Sequence, residues 1–107
     1  MVIDARERIR LSDEQVAAFC RKWSIQRLEL FGSALRDDFA DDSDIDLLYS
    51  LRTDAGWSLF DHVHAEDELA ELLGRKVELV SRRAIENSEN WIRRKHILGT
   101  ARVVYAE

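Results

Sequence analysis

Apolar residues recur along this chain with two different periods, and the switches between them predict its elements. Val16, Phe19, Cys20 and Trp23 fall three or four apart, the spacing of one helix face. Ser12 and Gln15 form a Ser-x-x-Gln capping box ahead of them, with Asp13 and Glu14 in the first turn. Residues 13 to 23 therefore read as an amphipathic helix. Two extended runs follow, Ile25 to Phe31 and Ile45 to Leu51; between them a short helix is expected from Ser33 to Phe39 and a polar loop from Ala40 to Ser43. Ser58 is the expected cap of a second long helix, Leu59 to Leu73, closed by Gly74. Its apolar face is read as Leu59, Val63, Leu69, Ala70 and Leu73. Lys76 to Val80 is a third strand, with Val77 and Leu79 on one face and Glu78 on the other. A last helix is expected from a Ser88 cap through Leu98, ended by Gly99, and a fourth strand over Ala101 to Tyr105. The order αβαβαβαβ, with short links, predicts an α/β (α+β) fold: a small mixed β-sheet flanked by helices.

Composition narrows the function. At 107 residues the chain is expected to be one domain, 1–107, with a single modest core. Its 46% hydrophobic and 35% charged residues mark a globular rather than a disordered chain. A net charge of −5 argues against a broad nucleic-acid surface. The charge is uneven: residues 37 to 73 hold twelve of the 21 acids and one base, whereas residues 75 to 107 hold eight of the 16 bases. Such halves suit metal-bound phosphate chemistry, although solvated helix faces give similar counts. Cys20 is the only cysteine, so no intrachain disulfide or cysteine-based zinc cage forms; on its apolar stripe it reads as a small buried hydrophobe. No apolar stretch approaches the roughly 20 residues that cross a bilayer, and acids near the N-terminus disfavour a signal peptide. A cytoplasmic location, with no membrane partner, is the expectation.

Ten residues, Ala34 to Ser43, separate the Gly32-Ser33 pair from Asp44-Ile45-Asp46. A glycine turn allows close backbone approach, and its N–H groups make an anion nest. The Ser33 hydroxyl and Arg36, one turn on, can each meet a phosphate oxygen. Asp44 and Asp46 project on one face of their strand, and Glu78 is expected on a neighbouring one. Three carboxylates in one space repel unless they spread into water or surround cations. Two Mg²⁺ ions about 3.5–4 Å apart would relieve that repulsion and clamp the attacking and leaving oxygens of an in-line displacement. Oxygen-only ligands suit Mg²⁺ better than zinc. The turn is no Walker A loop, since Gly-x-x-x-x-Gly-Lys is absent.

At Leu30-Phe31-Gly32-Ser33-Ala34-Leu35-Arg36, Ser43-Asp44-Ile45-Asp46-Leu47-Leu48 and Leu73-Gly74-Arg75-Lys76-Val77-Glu78-Leu79-Val80 the chain resembles the minimal nucleotidyltransferases of the DNA polymerase beta superfamily. Many of these are antitoxins paired with a HEPN-domain ribonuclease toxin. The resemblance implies transfer of AMP from ATP, with Mg²⁺, onto a tyrosine of that toxin in a hetero-oligomer, without direct nucleic-acid binding. It implies that Gly32 and Ser33 hold the triphosphate, that Asp44 and Asp46 bind both metals, and that Glu78 completes the catalytic metal site and helps deprotonate the acceptor. The chain departs from the pattern twice: Glu78 replaces the usual aspartate, and Asp37 stands where a glycine often follows the arginine. The longer Glu78 motivates an alternative, a weak or inactive antitoxin that neutralises its toxin by direct binding. Transfer onto RNA is disfavoured by the acidic charge, and transfer onto a small molecule by the lack of a second domain.

The remaining residues are read as structural. His62 and Glu66 make a half-buried pair, His64 and His96 are solvated, and Arg93-Arg94-Lys95 is a wet face. Trp57, Phe60 and Trp91 are assigned to the core.

Overall fold

A computed structural model describes residues 8–36 and 43–107. Helix α1 (Asp13–Lys22) starts at its capping box: the Ser12 hydroxyl accepts from Gln15 N–H at 3.1 Å, and the Gln15 side chain accepts from Ser12 N–H at 3.0 Å. Then come β1 (Ile25–Phe31), a 3-10 turn (Gly32–Leu35), β2 (Ile45–Leu51), α2 (Leu59–Leu73), β3 (Val77–Ser81), α3 (Arg82–Glu86), α4 (Trp91–Thr100) and β4 (Arg102–Ala106). The helix expected from Ser33 is a single 3-10 turn as far as Leu35. Residues 37–42, with Asp37 and most of the expected polar loop, lie outside the described residues.

The strands form one mixed sheet in the order β3-β2-β1-β4. β1 runs antiparallel to β2 and β4, while β2 and β3 are parallel, joined by the α2 crossover. Side chains alternate across this sheet and build two cores. On one face Leu28 and Leu30 of β1, Ile45 and Leu47 of β2, and Val77 and Leu79 of β3 pack against Val16, Phe19 and Cys20 of α1 and Ala65 and Leu69 of α2. On the other, Phe31 and Leu48 meet Ile85 of α3 and Ile97 of α4 in a smaller cluster. Cys20 is fully buried and its thiol is pushed up to about 12 by burial, as suits a packing residue.

Three readings need correction. α2 buries only part of the face expected of it: Leu69 is buried and Ala70 and Leu73 pack against the core, but Leu59 is 78% and Val63 44% exposed, and Ala65 is buried instead. The inward stripe also carries His62 and Glu66, whose polar atoms have partners. His62 Nδ1 lies 3.2 Å from the Tyr49 hydroxyl and Nε2 lies 3.6 Å from Glu66, which also accepts the Leu79 N–H at 2.8 Å. That last bond covers an N–H of β3 at the sheet edge. Second, the last helix starts at Trp91, not after Ser88, because Asn90 is its cap and accepts from Arg93 N–H at 3.1 Å; it runs past Gly99 to Thr100. The unforeseen α3 precedes it, capped by the Ser81 hydroxyl accepting from Ala84 N–H. Third, Phe60 and Trp91 are 75% and 61% exposed. Trp57 does pack, stacked on Tyr49 at 4.7 Å with its indole N–H donated to Trp23 O.

One charge is buried deliberately. Glu29, 3% exposed on β1, accepts from Arg82 Nη1 at 2.5 Å and lies 3.3 Å from Arg27 Nε. The pair pins the start of α3 to the face that carries Phe31 and Leu48.

Candidate active site

The sheet register brings the predicted carboxylates together. Asp46 is opposite Phe31 in the antiparallel β1–β2 ladder and level with Glu78 in the parallel β2–β3 ladder. Asp46 and Glu78 therefore project side by side, on the face of the smaller core. Asp44 precedes β2 by one residue, and its Oδ2 stands 3.8 Å from Lys76 Nζ, an exposed and weak pairing. Burial raises the Asp46 carboxyl above the ordinary aspartate value, and the charges of Glu78 and Asp44 push it further, as does a hydrogen bond with Glu78.

The Gly32–Ser33 turn closes over this cluster. β1 delivers it directly beside the start of β2, because the two strands are antiparallel neighbours. Gly32 has φ +74°, and a Cβ built there would stand 2.5 Å from Asp46 Oδ2. Only glycine satisfies both the left-handed backbone and that approach. The Ser33 hydroxyl makes a long 3.4 Å hydrogen bond to Asp44 O, linking the turn to the acidic strand. Beyond Ser33 the chain bends back through the Arg36 N–H to Ser33 O bond, 3.0 Å. This sets Arg36 in the lining of a cleft with Gly32 and Ser33.

Among the described residues, no three His, Cys, Asp or Glu side chains already converge as a finished metal cage. The donors nevertheless fit a hard cation. They are carboxylate oxygens alone, and Asp46 is loaded with more negative charge than its partly buried site favours. What the arrangement offers is a strongly acidic patch next to a donor-rich turn.

The sequence profile of the nucleotidyltransferase domain matches residues 12–103. The chain belongs to the nucleotidyltransferase family. A segment of 66 residues is 36% identical to the "Putative protein adenylyltransferase MJ0128" of Methanocaldococcus jannaschii, covering 62% of this chain and 65% of that protein, so the match spans just under two thirds of its relative. A solved structure described as a "putative minimal nucleotidyltransferase" is 30% identical, covers 86% of each chain and superposes with a TM-score of 0.62. A chain of a solved structure described as a tri-AMPylated Shewanella oneidensis HEPN toxin in complex with MNT antitoxin shares the fold at 19% identity, with a TM-score of 0.55 over 88% of this chain and 69% of that one. Among the described residues, no helix of the enzyme is long and apolar enough to cross a membrane.

Sequence reading missed two contributors. His96, taken as merely solvated, is exposed but lines the cleft with Thr100. Their spacing of four on α4 was the available signal. Glu29 is the other, signalled by its being a lone acid inside the apolar run Leu28 to Phe31.

Proposed function

We propose that this nucleotidyltransferase transfers AMP from ATP to a hydroxyl, a tyrosine by preference, of a partner HEPN ribonuclease toxin, and so acts as an antitoxin. The observation that carries the reading is the lateral pairing of Asp46 with Glu78 directly under the Gly32 turn. The adenylyltransferase similarity supports the reaction, and the fold shared with an AMPylated toxin's antitoxin supports the partner. The chain would act as one minimal domain, in the cytoplasm and without binding nucleic acid.

Each residue then has a role. The turn N–H groups and the Ser33 hydroxyl hold the triphosphate, and the Arg36 guanidinium pairs with its charge. Asp44, Asp46 and Glu78 would hold two Mg²⁺ ions, which when bound neutralise developing charge at the α-phosphate. The acceptor hydroxyl attacks the α-phosphorus, a new O–P bond forms, and the bond to the bridging oxygen breaks to release pyrophosphate. The acceptor's proton passes to the Glu78 or Asp46 carboxylate. Because Glu78 already reaches Asp46 across the ladder, its extra methylene does not remove it from the site.

The test is intact-mass measurement of a co-purified HEPN toxin after incubation with the protein, ATP and Mg²⁺. The toxin is expected to gain mass in multiples of AMP, and Asp44→Asn or Asp46→Asn to reduce the rate by at least about 10³-fold, as for loss of an essential group. Unmodified toxin would sink the proposal. If such toxin were still neutralised by the double aspartate variant, neutralisation by direct binding would replace it.

A further inference from the structure

The cleft beside the Gly32 turn has a second wall. A space of about 370 Å³ lies between Gly32, Ser33, Leu35 and Arg36 on one side and His96 and Thr100 of α4 on the other. Its polar side chains are two hydroxyls, a guanidinium and an imidazole, and no carboxylate lines it. Such a lining selects an anion. Thr100 spends its hydroxyl locally, donating to His96 O at 2.7 Å, which ties down the last turn of α4. Among the described residues the His96 ring itself has no hydrogen-bond or ion-pair partner, and it is exposed to the cleft. An imidazole offers at least one N–H in either protonation state.

The order of the groups sets which phosphate it meets. Gly32 separates Asp46 from the cleft, so a nucleotide whose α-phosphate lies at the carboxylates directs its tail across the turn into that space. We infer that His96 binds the terminal phosphate of the nucleotide and makes the site prefer a triphosphate over a diphosphate. The inference rests on the nucleotidyl-transfer reading and adds a specificity residue to it.

Calorimetric titration with a non-hydrolysable ATP analogue and with ADP, both with Mg²⁺, separates the two. His96→Ala should weaken the triphosphate analogue about tenfold, the effect of one hydrogen bond to a charged group, and leave ADP within about twofold. His96→Gln, which keeps an N–H donor, should recover part of the loss. His64→Ala, which removes an exposed imidazole from α2, should change neither. An unchanged thermal midpoint confirms that the His96 variants fold. Equal losses for both nucleotides, or no loss, would overturn the role of His96 while leaving nucleotidyl transfer intact. Failure of the parent protein to bind either nucleotide would instead bring down both.

Discussion

Asp46 carries a conflict that the rest of the site is built around. Partial burial, the Glu78 and Asp44 charges and the Glu78 hydrogen bond all hold its carboxyl above the ordinary aspartate value. Its stability contribution is therefore complete below the unfolded value, about 3.9, and is lost as pH rises through the higher folded value. At neutral pH the ionised group works against folding. In the presence of a chelator, Asp46→Asn should raise the thermal midpoint at pH 7 by on the order of 2–4 °C, with the gain vanishing near pH 3. An unchanged or lowered midpoint at pH 7 would mean that the carboxylates are not crowded. This part of the site was legible in the sequence, because Asp44 and Asp46 follow from the period of one strand and Glu78 from the strand–helix–strand order that makes β3 a neighbour of β2. His96 was not, since its place depends on α4 folding back beside the Gly32 turn.

The helices differ in how far local sequence decided them. α1 and α2 matched because caps and terminators flank them: Ser12 with Gln15, Ser58 with Asp61, and Gly74 in the left-handed conformation at φ +68°. α2's inward face holds His62 and Glu66 as the half-buried pair expected, with Tyr49 and the β3 edge as partners, whereas Leu59 and Val63 were wrongly placed on it. α3 escaped notice because its five residues depend on a tertiary anchor, Arg82 on Glu29, 53 positions apart. Among the described residues, Arg82→Ala leaves Glu29 with only the half-exposed Arg27, and it should cost about 2–3 kcal/mol in urea unfolding, somewhat below the full penalty for a broken buried pair. Replacing both residues by apolar ones, Glu29→Met with Arg82→Leu, should cost less than the single change. If the single change is neutral, α3 is held by Ile85 alone and the pin is incidental.

Taken as a whole, the molecule gathers the candidate chemistry at one end of the sheet. The acids at Asp44, Asp46 and Glu78 meet the donors at Ser33, Arg36 and His96 on opposite sides of Gly32. The two hydrophobic cores hold that boundary from both faces, α1 and α2 behind it and α3 and α4 beside it. The parallel pairing of β2 with β3, made by the α2 crossover, puts Glu78 level with Asp46. Segregated charge of this kind polarises a bound phosphate chain without demanding a deep pocket. The most direct measurement is a crystal structure grown with Mg²⁺ and a non-hydrolysable ATP analogue. Divalent density is expected among Asp44, Asp46 and Glu78, with the analogue's β- and γ-phosphates on the Gly32–Ser33 turn. A nucleotide bound elsewhere, with no divalent density among those carboxylates, would contradict the account.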